Sequence, residues 1–566
     1  MANYDHSANL PTSPNAGLLS RAIFSTNHKT IGLHYLCLAL VSVLVGMVLS
    51  TVLRFHASGT STAIPFLGSL QATLDSLPSV RLLHGSLMIF FVLTAAPQLA
   101  FGNFLLPLQI GAREMAFPSL NRLSFWMIVA SWLGIITSSF VATAAGINLW
   151  LVSASIFALS ALLSAVNFTT TTLQLRTDGM TLPNMPITVW AWFINAILSL
   201  LIFSILLAGT CTVLSDRLLG TGFFSSLTFL AHQPQNLVQH GSLPILWQRL
   251  FWYFAQAEVY VAVLPCFGFT THFIATFSRK PVWKERVVVL ALCGVGVAGF
   301  CVWGYNMFAT GMNPYTPLNF SVLASSLGIP AAVLLASWLV TLWNGRLTLN
   351  TAMLFTLGFC SLFAVGGLSG LFLAHHELST AVSEDFVVGH FHLVMGVAAT
   401  FAMLAALFFW FPKLFGCRLN ETLGKIHFWI TFAGVYCIFM PLHWVGLLTQ
   451  SSLIPDVQRM TFAPMGSAFR NFITAATICT FAAQIIFIFN FLNTLLRYQH
   501  NGGKVEADNP WRATTLEWSI PSPAPVENFA NVRPVVYRGA YEFHPGFATD
   551  FLPQHLSPEL LVQKAL

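Results

Sequence analysis

The chain has 566 residues, 56% of them hydrophobic and only 8% charged, and its mean hydropathy is +0.72. Soluble domains carry about 25% charged residues, so this composition excludes a soluble globular protein and implies one that crosses a bilayer many times. A net charge of +6 makes no case for nucleic acid. The apolar stretches run about 20–28 residues without two-residue alternation, which predicts helices rather than barrel strands.

The first thirty residues, through Ser25-Thr26-Asn27-His28-Lys29, are polar and lack a short apolar core, so no cleavable signal is expected. Apolar runs then predict about twelve spans, near 31–53, 83–107, 124–145, 150–170, 187–214, 248–275, 286–309, 319–343, 351–374, 386–410, 425–449 and 468–496. Residues 31–497 read as one all-α transmembrane bundle, flanked by segments 1–30 and 498–566. Arg21, Lys29, Arg113, Arg122, Arg176, Arg279, Lys280, Lys284, Arg286, Arg346, Lys413, Arg418 and Lys425 fall on the side of both termini. Arg54, Arg81, Arg217, Arg249, Arg459 and Arg470 fall on the other. That bias predicts cytoplasmic termini, with the Pro-rich polar tail as an extended surface segment. There is no internal repeat. The nine cysteines show no C-x-x-C or C-x-x-C-H and read as small core residues.

Seventeen histidines are many for such a chain. His6, His500, His544 and His555 lie in terminal segments, and His232 and His240 in an outer loop, where solvation explains them. His34, His272, His427 and His443 lie in or near spans and read as core histidines bonded to a neighbouring carbonyl or hydroxyl. His84 opens the second span in Leu83-His84-Gly85-Ser86, where two small residues would let a flat macrocycle approach the backbone. Taken alone, it fits a ligand and a core histidine equally well.

Gly389-His390-Phe391-His392 is more specific. An ionisable side chain mid-membrane costs at least ~2.5–3.5 kcal/mol and needs an interior partner. Residues two apart on a helix diverge by roughly 200°, so these imidazoles serve two partners rather than chelating one. Imidazole is a usual axial ligand of haem iron, and a haem on each face fits both spacing and burial.

His84 together with Phe101-Gly102-Asn103, Pro107-Leu108-Gln109-Ile110-Gly111-Ala112 and Met115-Ala116-Phe117-Pro118 resembles subunit I of the haem-copper oxidases, in the cytochrome c and quinol oxidase branch. The likeness continues through Ser25-Thr26-Asn27-His28-Lys29, Phe251-Trp252-Tyr253-Phe254, Glu258-Val259-Tyr260, Ser337-Trp338, Gly389-His390-Phe391-His392 and Asn509-Pro510-Trp511, covering about 20 to 530 in order. The resemblance implies a haem-copper oxidase subunit I-like bundle of about twelve helices. It implies a low-spin haem, a- or b-type, between His84 and His392, and a second haem on His390. Arg54 matches an arginine that contacts the low-spin haem's substituent in a-type members.

The family's copper site is not matched. Its three histidines correspond here to Gln256, in Ala255-Gln256-Ala257-Glu258-Val259-Tyr260, and to Tyr305 and Asn306. Amide and phenol oxygens are poor copper ligands, so no copper is expected in this chain, although Tyr260 remains. The lysine of the family's second proton path is Leu334, and the arginine pair that neutralises haem propionates is Ser452 and Leu453. The His-Asp pair near the family's magnesium aligns with Val382-Ser383, and Glu384 and Asp385, which follow, offer carboxylates to a cation. Asn103 and Asn121 remain of the other proton path, with Glu114 for its entrance aspartate and Glu258 as its inner glutamate. Glu258 reads equally as a neutral core acid or a relay group.

Three functions fit these residues. The preferred one is a haem-bearing electron-transfer subunit of a respiratory complex without a working haem-copper oxygen-reduction centre. The others are a divergent terminal oxidase with an altered metal site, in which Tyr260 and Glu258 are the catalytic candidates, and a structural or assembly paralogue. The implied partners are subunit II- and III-like membrane chains, with a c-type cytochrome or a quinol as donor, and the implied location is a bacterial inner membrane.

Overall fold

The computed structural model describes residues 23–57, 77–141, 144–223, 245–308, 315–449, 451–500, 507–529, 532–543 and 551–557. His6, Arg21, His232, His240 and His544 lie outside them. Among the described residues there is no strand, and 12 helices are long and apolar enough to cross a membrane. In order these are α1 (His28–Ala57), α2 (Ser79–Ile110), α3 (Pro118–Ser138), α4 (Ala144–Gln174), α5 (Ile187–Leu219) and α6 (Leu246–Ser278). They continue as α7 (Glu285–Met307), α8 (Tyr315–Leu342), α9 (Thr351–Leu373), α10 (Glu384–Phe415), α11 (Glu421–Leu448) and α12 (Asp456–His500).

Lipid offers no hydrogen-bond partner, so each apolar run closes its own backbone bonds as a helix. Local chemistry then sets the ends. The Asn350 and Asn420 side chains accept from Met353 N and Leu423 N and start α9 and α11. Gly416 ends α10 at φ 79°, a left-handed conformation that glycine adopts without strain. Pro97 lacks a backbone donor within α2, and a wide π-helical stretch, Leu87–Ala100, surrounds it. A second wide turn, His392–Gly396, follows directly on His-x-His in α10.

The centre of the bundle is α2, α6 and α10, whose apolar windows are 94%, 89% and 72% buried, against 17% for α8 and 28% for α1. Consecutive helices from α3 to α6 pack side by side, as do α9 with α10, α10 with α11 and α11 with α12, and α12 closes against α1. The two helices that carry the candidate haem histidines are thus the ones shielded from lipid.

The tail departs from the expected surface segment. Among its described residues the one helical element is a 3₁₀ turn, Leu516–Ser519, yet Trp511, Leu516, Trp518 and Tyr541 are buried. Trp511 Nε1 donates to Phe409 O at 2.7 Å, and Lys413 Nζ donates to Ile520 O at 2.7 Å while sitting over the Trp518 ring. Glu517, which burial holds above the usual carboxylate range, accepts from Gln109 Nε2 at 3.0 Å and Trp410 Nε1 at 3.3 Å. A buried aromatic ring hides roughly 150–250 Å². At roughly 25 cal/mol/Å² that is about 4–6 kcal/mol as an upper bound, enough to hold this segment on the ends of α2, α6 and α10.

Candidate functional site

His84 of α2 and His392 of α10 line one cavity of about 230 Å³ between α1, α2, α10, α11 and α12. His84 Nδ1 donates to Gly46 O at 2.9 Å, and His392 Nδ1 donates to Val388 O at 2.8 Å. A carbonyl only accepts, so the proton sits on Nδ1 and Nε2 keeps its lone pair in both rings. His392 is also stacked on Phe439 of α11, with centroids 4.5 Å apart and planes 10° from parallel. Gly85 lines the cavity, and a methyl built there would meet nothing within 4 Å, so the backbone is open to a flat ring as expected. Ser86 does not share that role; its hydroxyl accepts from Trp150 Nε1 at 3.2 Å. A further apolar cavity of about 200 Å³ shares Val43, Met47, Thr400, Leu404 and Gln484 with the first. Two oriented neutral imidazoles around a space with apolar walls fit an iron porphyrin.

His390 faces the other way, toward α9. Its Nδ1 lies 3.1 Å from Gly366 O and 3.1 Å from Ser369 Oγ. Gly370 lets α9 come close, since a Cβ there would stand 2.9 Å from His390 Cε1. Ser369 Oγ also lies 3.2 Å from His443 Nε2, and His443 Nδ1 donates to Phe439 O at 2.8 Å. The Ser369 hydroxyl donates its one proton to Gly366 O at 2.8 Å. This Ser369–His443 bracket went unread in the sequence, because three helices build it and no spacing marks it.

On α6 and α7, Asn306 Nδ2 donates to Gln256 Oε1 at 2.5 Å, and Gln256 Nε2 donates to the Tyr260 hydroxyl at 3.4 Å. Tyr305 leaves that cluster and donates to Leu373 O at 2.7 Å. Leu334 is fully buried. Among the described residues no group of three or more His, Cys, Asp or Glu is placed to hold a metal ion.

The residues matched to the family's proton path sit along α2 and its neighbours. Glu258 accepts from the Thr94 hydroxyl, and its Oε2 has no partner among the described residues. Asn103 Oδ1 and both amide atoms of the buried Asn121 are likewise without a partner there; such groups suit ordered water. His28 Nδ1 donates to Asn103 O at 2.7 Å, and the tail residue Asn528 bonds His28, Lys29, Ala112 O and Arg113 O. The remaining histidines take ordinary core contacts. His34 packs on Phe125, His272 Nδ1 is 3.1 Å from the Tyr541 hydroxyl, and His427 Nε2 is 2.9 Å from Gln484 Oε1.

Glu114, in the turn after α2, accepts from His28 N at 2.9 Å and Met115 N at 3.0 Å. Burial holds its carboxyl up at about 7, while those two hydrogen bonds and the Lys29 charge pull the other way. A raised acid stabilises the fold fully below its unfolded value near 4.5, and that contribution is lost as pH rises through about 7. We expect the melting midpoint in detergent to fall between about pH 4.5 and about pH 7 and to level off above that, and Glu114→Gln to flatten that fall. A Gln variant with an unchanged pH profile would contradict this.

At the end of the bundle away from the termini, Glu384 takes the Arg81 guanidinium at 3.7 Å, where the sequence offered it to a cation. The Ser451 hydroxyl and Ser452 N bond Ala381 O nearby at 2.9 and 2.8 Å.

The family model for cytochrome c and quinol oxidase polypeptide I matches residues 30–485. The chain is 37% identical to the alternative cytochrome c oxidase subunit 1 of Bradyrhizobium diazoefficiens, covering 98% of each. It is 33% identical to cytochrome c oxidase subunit 1 of Yarrowia lipolytica, over 92% of this chain and 99% of that one. With the subunit 1 of Synechocystis sp. the identity is 32%, over 96% of each. A chain of a solved haem-copper terminal oxidase dimer shares the fold, with a TM-score of 0.66 and 16% identity over 83% of this chain and 84% of that one. Subunits of this kind bind haem and work within multi-subunit membrane oxidases. With twelve spans in place and the match running through nearly all of them, this integral membrane protein belongs to the subunit I family of the haem-copper oxidases.

Proposed function

We propose that this chain is a haem-bearing electron-transfer subunit of a respiratory membrane complex, and that it does not reduce oxygen at a haem-copper centre. The observation that carries this is the contrast between its two sites. His84 and His392 face one cavity as oriented neutral imidazoles, whereas the positions of the family's copper ligands hold Gln256 and Asn306 bonded to each other. A haem on His84 and His392 would store and pass single electrons. The chain's part is to fix the two rings through Gly46 O, Val388 O and Phe439 and to keep water out with apolar walls. His390, held by Gly366 O and Ser369, is the proximal ligand we assign to a second haem. The apolar cavity beside the first one leaves room for an alkyl substituent on the ring. Both termini lie on the cytoplasmic side on the Lys and Arg bias, in a bacterial inner membrane. Partners resembling subunits II and III, with a c-type cytochrome or a quinol, supply the electrons.

One observation favours the reading of a divergent terminal oxidase: the 37% identity to an alternative cytochrome c oxidase subunit 1 extends over 98% of both chains. Metal and haem content of the purified complex separates the two. Our reading expects two haems per chain by pyridine haemochrome, one of them six-coordinate and insensitive to CO, with no copper beyond that held by partner subunits. One haem per chain would remove His390 from the assignment.

A further inference from the structure

Four charged side chains lie beyond the lining of the His84–His392 cavity, on helices that build its walls. Arg54 on α1 stands one turn beyond Ser50 and Thr51, which line the cavity. Arg81 on α2 is three residues before His84 and so lies on the same helical face, one turn nearer the membrane surface. Glu384 and Asp385 open α10 two turns before His392. Arg81 Nη1 is 3.7 Å from Glu384 Oε2, which ties the two histidine-bearing helices together. Arg54 stands where α1 meets α12, its carbonyl accepting from the Thr474 hydroxyl at 3.4 Å. Ser451 and Ser452 lie beside the start of α10, bonded to Ala381 O, and Arg459 Nη1 donates to Ser451 O at 3.4 Å. Arg459 is taken by Asp456, and Arg470 Nη2 lies on Ser467 Oγ at 3.3 Å.

A porphyrin of the haem type carries two carboxylates on one edge. Seating it between His84 and His392 puts that edge either in lipid-facing apolar wall or toward these charges, and carboxylates without cations are costly anywhere but water. The Arg81–Glu384 pair is weak by its surroundings, since its side chains are 66% and 91% exposed. Arg81 gains by exchanging that partner for a carboxylate at the rim of the bundle, where water is scarcer and a guanidinium can bind both oxygens.

We infer that Arg81, together with Arg54, binds the haem carboxylates, and that Glu384 competes with the haem for Arg81. The missing Ser452–Leu453 counter-charges are thereby supplied from α1 and α2. This assignment rests on a haem being held by His84 and His392. Arg81 is a positioning residue here, because it touches neither the iron nor its ligands.

The test uses the intact complex with Arg81→Gln, Arg81→Lys and Glu384→Gln, reading the low-spin haem's midpoint potential and its rate of loss to apomyoglobin. A nearby cation destabilises the oxidised, more positive haem relative to the reduced one, so Arg81→Gln lowers the potential and speeds haem loss by about tenfold. Arg81→Lys keeps the potential near that of the unaltered protein and loses haem at a rate between the two. Glu384→Gln raises the potential and leaves haem retention unchanged or improved. Unchanged potential and retention in Arg81→Gln would overturn the inference, as would shifts of the same sign in Arg81→Gln and Glu384→Gln, which would mark a loosened structure. Absence of any six-coordinate low-spin signal from the unaltered complex would instead overturn the haem assignment itself.

Discussion

Replacing His84 with alanine is expected to abolish the six-coordinate, CO-insensitive haem signal, and His392→Ala is expected to do the same from the other side. Each ring is neutral and tied at Nδ1, so it offers a fixed Nε2 lone pair to the cavity both of them line. Loss of an outer-sphere partner of a metal site costs about 10–100-fold in affinity, and loss of the ligand itself should exceed that. The remaining imidazole would leave at most a five-coordinate haem that binds CO. His34, packed on Phe125 and outside the cavity lining, serves as the control. An unchanged optical spectrum in His84→Ala would show that the cavity has another use.

Oxygen chemistry carries the second large expected effect. Membranes in which this is the only subunit I-type chain should show no cyanide-sensitive oxygen uptake at turnover rates. The family's reaction depends on copper held by three imidazoles, and here Gln256 and Asn306 satisfy each other at 2.5 Å while Tyr305 is turned to Leu373 O. Amide oxygen and nitrogen are poor donors for copper. The triple change Gln256→His, Tyr305→His and Asn306→His should not restore uptake on our reading, because the position matched to the family's second-path lysine would still hold the buried, apolar Leu334. About one copper per chain beyond the partners' share, with cyanide-sensitive uptake, would overturn the proposal.

Hydropathy located all twelve spans found among the described residues, because lipid forces every apolar run of membrane length to become a helix. It placed their ends less well. The run near 468–496 is the core of a helix extending over Asp456–His500, and that near 386–410 lies within Glu384–Phe415. Helices continue past the apolar slab wherever polar residues still favour them, and a hydropathy window cannot see that. The tail was misread for a related reason. Its Pro-rich average is polar, while single residues such as Trp511, Leu516 and Trp518 insert between helix ends.

The sequence by itself determined the membrane bundle, the opposed directions of His390 and His392, and the family, since length, the 100° helical step and local motifs are properties of neighbouring residues. Only the tertiary structure decided what holds each imidazole. Gly46 O orients His84 from 38 residues away, Ser369 lies between His390 and His443, and Arg81 meets Glu384 beyond the cavity lining. Those partners lie on different helices, and no pattern along one segment encodes the register at which two helices pack. Hydrogen bonds and ion pairs act over a few ångströms, so the order in space of α1, α2, α9, α10 and α11 selects them.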